Sequence, residues 1–509
     1  MKMKRWKLLP YLFSLSLVLV PAAQTVAQLP ALGDAGTMTL GAERKLGDQI
    51  AYELYRDPDY IDDPVLMEYV QTIWDALREA ARKRGELTPD QDERFAWEII
   101  LGRDREVNAF ALPGGYMGVY LGLISIVSNR DELASVLGHE LSHITQRHIS
   151  RLMTHDGQQT PLLVGALILA ALAASRSPDA ASALVVGGQA LTLQNQLKFS
   201  RDMEREADRV GYGVMTSAGF DGQGFVTMFD KLQLASRLND NEAYPYLRNH
   251  PLTTERIADM QARQQLKGAP TPLPKGQVQP IALDHAMIMA RARVLSNPGV
   301  DQQRLWLAEP EGPGFAGLPA WHQVMALYTA ALAASQLRDY RQADHMAARI
   351  YPLVQGDAAA LRLQRLLVAE VALAGGNPVP AAALSLSSQG ARPELLLAAQ
   401  ARLQAASPAQ AEPVAETLQT WVTVHGHDAL AWQWLSSAWN AAGQPVRAVR
   451  AEAEAKVAHY DYGGALDRFK AAQELVRRAG GGADHVEASI IDARTRELNS
   501  MVREQSLQR

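Results

Sequence analysis

The chain has 509 residues, a formal net charge of −5 and a hydrophobic fraction of 47%. That length suits two or three domains with sizeable cores, and the acidic balance argues against a general nucleic-acid binder. There is no cysteine, which excludes a disulfide framework and any thiolate-ligated metal.

Lys2, Lys4, Arg5 and Lys7 precede an apolar run from Leu8 to Val20, and Pro21 to Ala27 ends in small residues. This is the order of a secretory signal peptide, with cleavage expected near Ala27. The alternative is a retained membrane anchor, for which the run is short. Loss of residues 1–27 removes four positive charges and leaves the chain more acidic.

Residues 28–45 are rich in Gly, Pro and Ala and read as extended. Helical periodicity begins near Glu43 and continues through Glu68–Lys83. Arg94–Leu101 reads as a strand, and Asn108–Tyr120 as strand, turn and strand. An edge of such a sheet could take up an extended peptide; ordinary hairpin packing is the alternative.

Leu133, Val136, Leu137, Leu141 and Ile144 then recur at helical spacing. This helix carries His139-Glu140-Leu141-Ser142-His143. Positions i and i+4 lie about 40° apart around a helix, so both imidazoles point the same way and can share one zinc ion. Glu140 stands beside them as a candidate general base. The alternative is a helix with two satisfied core histidines. A third histidine ligand on this helix would need glycine at 146 and histidine at 149; the chain has Gln146 and Ile149. On a continuing helix His148 would lie about 140° from His143, outside its ligand set, so a structural or supporting role is expected.

Pro161 to Ala174 is an unbroken apolar run, short of the ~20 residues a bilayer span needs. A buried or interfacial helix near the site is expected, with transient membrane contact as the alternative. In Ser200–Asp208, Glu204 and Asp208 share one helix face while Glu206 points away. Glu204 would complete a His₂Glu site, and Asp208 could orient a ligating imidazole. The alternative is a solvated helix with Arg201, Arg205 and Arg209 as partners.

The chain turns polar and proline-rich at Gly268–Gly276, a natural domain edge, and is loose again from Pro298 to Pro319. From about residue 320 it reads as helical throughout. Ala343, Ala381, Ala415 and Ala448 open amphipathic stretches about 34 residues apart, the tetratricopeptide period. Asp461–Phe469 reads as the second helix of a unit set too close for a full repeat. A generic helical domain is the alternative. The expected fold is mostly α: an α+β zincin-type domain with a small β-sheet, then an all-α tetratricopeptide-like solenoid. The expected divisions are a signal peptide at 1–27, a peptidase-type domain at 28–267, a linker at 268–319 and the repeats at 320–509.

H-E-x-x-H followed about sixty residues later by E-x-x-x-D resembles the M48 family of zinc peptidases. Asn108 to Gly115, Arg147-His148 and Asn249-His250-Pro251 extend the likeness over about residues 40–265; beyond 310 it rests on architecture alone. The resemblance implies one Zn2+ per chain on His139, His143 and Glu204, with Glu140 and Asp208 as catalytic-site residues. It implies Asn108, Ala109, Phe110, Gly114 and Gly115 as the substrate-binding strand. His250 would be a regulatory or transient ligand in the metal's open position; a transition-state donor and a plain loop histidine are the alternatives. The combination of signal peptide, M48 domain and helical tail resembles periplasmic members acting in quality control of outer-membrane proteins. Implied partners are unfolded or misassembled outer-membrane proteins and the barrel-assembly machinery. The rival is a non-proteolytic chaperone or scaffold with a largely structural metal site, which would gain nothing from the base at Glu140.

Overall fold

A computed structural model describes residues 38–155, 200–237, 244–266, 280–297, 299–404, 407–479 and 484–507. The expected signal peptide, the apolar run at 161–174 and the proline-rich stretch at 268–276 lie outside these residues.

The first helix, α1 (Leu40–Tyr55), is capped by Thr39, whose hydroxyl accepts from Ala42 N, so residues 40–45 are helical rather than extended. Asp63 caps α2 (Pro64–Arg84) through Leu66 N, and Gly85 ends it in the left-handed region at φ 76°. Leu66, Trp74 and Leu77 of α2 are 0% exposed, each such side chain stabilising by about 1.5–3 kcal/mol on burial. A capping box between Thr88 and Gln91 opens α3 (Pro89–Arg94).

Three strands follow: β1 (Glu98–Gly102), β2 (Ala109–Leu112) and β3 (Tyr116–Tyr120). The strand expected from Arg94 therefore starts four residues late. Arg94 closes α3, Ala96 N donates to Gly114 O, and Trp97 sits at φ 56°, which breaks the extended run. The sheet order is β1-β3-β2, with β1 parallel and β2 antiparallel to β3. The outer edge of β1 is closed by Ile61 N to Leu101 O at 3.1 Å and Arg103 N to Asp59 O at 2.7 Å. Among the described residues β2 has no second strand partner, and it is buried against the helix that carries the histidines.

After α4 (Leu121–Ile126), Asn129 caps α5 (Arg130–Thr145) by accepting from Glu132 N. Every residue of α5 from Leu133 to Ile144 is buried. A helix buried all round must sit in the middle of its domain, and α5 packs against α2, β2 and the two helices that follow the described gap. Next come α6 (His148–His155), α7 (Arg201–Ser217), α8 (Gln223–Arg237), α9 (Tyr246–Asn249) and α10 (Thr254–Leu266).

The stretch from 280 to 319, expected as linker, contains α11 (Leu283–Leu295) and α12 (Val300–Ala308). Met287, Ala290 and Val294 of α11 are 0% exposed, because α11 packs on α4 and on the first tail helix; proline content there marks turns, not a tether. The tail consists of packed helix pairs: α13 (Ala320–Gln336) with α14 (Tyr340–Val354), α15 (Ala358–Ala374) with the short α16 (Val379–Ala382), α17 (Arg392–Gln404) with α18 (Pro408–Val424), α19 (Ala429–Ala441) with α20 (Pro445–Ala458), and α21 (Tyr462–Ala479) with α22 (His485–Leu507). Ala343, Ala381, Ala415 and Ala448 are all buried, one in the second helix of each of the first four pairs. Tyr462–Phe469 lies in the first helix of the last pair, not in a second one.

Arginines join the pairs to the entry of α2. Arg291 contacts Asp63 at 2.6 Å and Glu370 at 2.7 Å. Arg362 contacts Glu68 and Glu394, both at 2.6 Å. Arg392 contacts Asp62 at 2.7 Å and Asp428 at 2.8 Å. Among the described residues no helix is long and apolar enough to cross a membrane.

Candidate metal centre

Two helices build the centre. α5 presents His139, Glu140 and His143, and α7, capped by Ser200 through Met203 N, presents Glu204 and Asp208. The helices cross where Gly138 meets Gly211, close enough for a short carboxylate to span the gap. The loop after α9 adds His250. All six side chains are buried, at 2% exposure or less.

His143 Nε2 lies 3.0 Å from His139 Nε2. Glu204 reaches both, with Oε2 3.5 Å from His139 Nε2 and Oε1 3.5 Å from His143 Nε2. His250 Nδ1 stands 3.0 Å from Glu204 Oε1 and 3.3 Å from His139 Nε2. One ligand atom from each of these four residues lies within 4.8 Å of the others. Asp208 Oδ1 accepts from His139 Nδ1 at 2.9 Å, which leaves the lone pair of His139 on Nε2, facing the cluster. Burial holds His143 well below the ordinary imidazole range, so it stays neutral, as a ligand must. Two imidazole nitrogens and a carboxylate converging from two helices are the donor set of a catalytic zinc site, and the residues present fit a divalent metal.

The base is placed beside this set. Glu140 Oε2 accepts from Ala111 N, on the unpaired side of β2, at 2.9 Å. Glu140 Oε1 is buried with no hydrogen-bond partner and stands 3.5 Å from His250 Nε2.

Residues 71–264 match the profile of peptidase family M48. Over that segment the chain is similar to peptidases of that family. It is similar to the beta-barrel assembly-enhancing protease of Escherichia coli (strain K12), 34% identical over 246 residues, which are 47% of this chain and 48% of that protein. It is similar to the protein of that name in Yersinia pestis, 31% identical over 292 residues, 56% of each chain. The mitochondrial metalloendopeptidase OMA1 of Arabidopsis thaliana is 35% identical over 159 residues, 31% of this chain and 30% of that protein. The chain spans about half the length of the beta-barrel assembly-enhancing proteases it matches.

In this centre the structure brings together His139, Glu140, His143, Glu204, Asp208 and His250, with Ala109 to Leu112 alongside. His148 departs from the geometry of a continuing helix. α5 ends at Thr145, and Arg147 takes a left-handed φ of 54°. The chain turns back, and His148 Nδ1 lies 2.9 Å from His143 Nδ1. Glu206 does point away from the ligands, yet it pairs with His148 at 3.1 Å.

Sequence reasoning missed Arg256. It is 3% exposed, grips Asp208 at 2.6 and 2.8 Å, and reaches Glu204 Oε2 at 2.7 Å. Burial pushes the Asp208 carboxyl up, but the charge and hydrogen bonds of Arg256 outweigh it and hold Asp208 below its usual range. Arg201, Arg205 and Arg209, the partners considered from sequence, do not reach Glu204 or Asp208; Arg205 pairs with Asp202 and Glu255. Tyr246 was also missed: its ring stacks on His250 at 4.5 Å and fixes the imidazole over the ligands.

Proposed function

We propose that the chain is an exported zinc endopeptidase that cleaves unfolded or misassembled outer-membrane proteins, with residues 28–267 as the peptidase domain. The tetratricopeptide-like tail at 320–509 would dock such clients or the barrel-assembly machinery. The observation that carries the hydrolytic part is Glu140, with one oxygen tied to Ala111 N and the other buried beside the ligands without a hydrogen bond, 3.5 Å from His250 Nε2. A structural metal site has no use for that orphaned oxygen, whose burial costs free energy.

Zinc on His139, His143 and Glu204 would polarise a scissile carbonyl and acidify a water. Glu140 takes the water's proton on Oε1 and passes it to the leaving amine. Asp208 holds His139 in the tautomer that can ligate, and Arg256 holds Asp208. The side of β2 without a strand partner faces this carboxylate, so a peptide added beside Ala109–Leu112 would displace the Ala111 contact and be carried past the base. Asn108, Phe110, Gly114 and Gly115 belong to the same strand and its turn. His250 fills the fourth corner of the cluster, which makes it a resting ligand that must leave before a substrate carbonyl enters. Export rests on the basic, apolar and small-residue order of positions 1–27. The client class rests on the relatives' names.

The test is incubation of the purified chain with a denatured β-barrel protein, with and without a zinc chelator, beside Glu140→Gln. Cleavage is expected to vanish with the chelator. It should fall about 10²- to 10⁴-fold in the variant, which keeps its zinc. Cleavage indifferent to the chelator and undiminished in the variant would remove the metal and Glu140 from the reaction, and no cleavage by the unmodified chain would leave the scaffold reading in its place.

A further inference from the structure

We infer that His148, Glu206 and Arg151 form a hydrogen-bonded relay that positions the metal ligand His143, running from the buried centre to the surface. The inference rests on the metal reading of His139, His143 and Glu204.

His139 and His143 each need their second ring nitrogen held, because a ligating imidazole rotates freely unless its other N–H is fixed. His139 has Asp208 for this. The Nδ1 of His143 faces His148 Nδ1 at 2.9 Å. With Nε2 turned to the ligand cluster, the one proton of neutral His143 sits on Nδ1 and is donated to His148 Nδ1. His148 must then carry its own proton on Nε2, and that nitrogen lies 3.1 Å from Glu206 Oε2. The same oxygen accepts from Arg151 Nη1 at 2.9 Å. Each link therefore has one donor and one acceptor, and the direction is fixed from His143 outward.

Burial grades along the relay. The side chains of His143 and His148 are 0% exposed, Glu206 29% and Arg151 45%. Its geometry is held by backbone strain. Arg147 occupies the left-handed region, which a non-glycine residue rarely adopts, and this bend is what returns His148 to His143. Glu43 of α1 holds the Arg147 side chain at 2.9 Å, so the bend is braced from a separate helix. The two ligands of α5 thus have unlike supports: a charge-paired carboxylate behind His139, and an imidazole with a partly exposed carboxylate behind His143.

The experiment measures zinc affinity of the full chain by competition with a chelating indicator, and unfolding of the metal-free form. His148→Leu should weaken zinc by about 10- to 100-fold. His148→Gln, which can both accept from His143 and donate to Glu206, should recover most of that loss. Glu206→Gln should weaken zinc less, with metal-free stability unchanged. Wild-type affinity in His148→Leu, with zinc bound normally by the unmodified chain, would overturn the relay and leave the metal reading standing. So would a loss that His148→Gln fails to recover. An unmodified chain that binds no zinc would remove the metal reading itself, and the relay with it.

Discussion

Gly211 lies in backbone contact with Gly138: a Cβ at 211 would stand 2.9 Å from the carbonyl carbon and oxygen of Gly138 and from His139 N. This contact brings α7 against the ligand-bearing turn of α5, and so brings Glu204 within reach of both imidazoles. Gly211→Ala should push the helices apart, destabilising by about 1–3 kcal/mol as overpacking does and weakening zinc. Gly138→Ala, whose Cβ meets its nearest neighbour at 3.2 Å, should be milder. Gly463→Ala, which opens on free space, serves as control. Denaturant unfolding with zinc titration checks all three. Equal tolerance at 211 and 463 would mean that helix spacing does not set the ligand geometry.

Arg256 is the counter-charge for two buried carboxylates. Arg256→Met keeps the stem and removes the charge, leaving Asp208 and Glu204 without it. Metal-free protein should lose about 3–5 kcal/mol, the usual result of breaking a buried pair. Added zinc should recover part of the loss, because the cation replaces the charge facing Glu204. The exposed Arg205→Met should leave the unfolding midpoint close to that of the unmodified chain. Equal unfolding midpoints for the two variants would show that Arg256 carries no such burden.

The metal centre was legible where local geometry fixes it. His139 and His143 are on one face of one helix, and Glu204 and Asp208 repeat that spacing on another, so a helical wheel is enough. Arg256 lies 48 residues beyond Asp208 on a helix whose sequence reads as ordinary and charged; only tertiary packing turns it inward. The bend at Arg147 carries no glycine or proline, so periodicity alone predicts a helix running on to His148. The small sheet was legible in β2 and β3 because Pro113-Gly114-Gly115 marks their turn. The start of β1 was not, since Phe95 and Trp97 are apolar yet held by α3 and by Gly114. The helix pairs were legible through their small residues, whereas 280–319 was read as linker because its prolines mark turns between packed helices as well as they would mark a tether.

His250 stands among the ligands with its ring stacked on Tyr246. If it occupies the metal's open position at rest, His250→Ala should raise basal cleavage of an unfolded substrate by several-fold, while zinc affinity falls. A rate that drops would assign His250 to the transition state instead. An unchanged rate would make it a bystander. Initial rates and chelator competition on the same preparation separate the three outcomes.

His427 ties the turn between α18 and α19 to the sheet, with Nδ1 3.1 Å from Glu98 Oε1. The hydrogen bond and charge of Glu98 raise its pKa above the ordinary 6.5. The other groups at Glu98 are the hydroxyls of Tyr460, at 2.7 Å, and Tyr55, at 3.0 Å, both pushed upward and neutral at physiological pH. His459, stacked on Tyr55 at 4.4 Å, is pushed down by burial and is uncharged there as well. A raised folded pKa gives stability that is complete below the unfolded value of 6.5 and is lost as pH climbs through the folded one. The His427 side chain is largely exposed, so the effect is small. Protection of the amides of residues 425–431, corrected for intrinsic exchange, should fall about two- to fivefold between about pH 6 and pH 8.5. His427→Gln should flatten that profile. A flat profile in the unmodified chain, or the same slope in the variant, would show that this contact does not titrate and that the Arg392 bridge to Asp62 and Asp428 alone holds the turn in place.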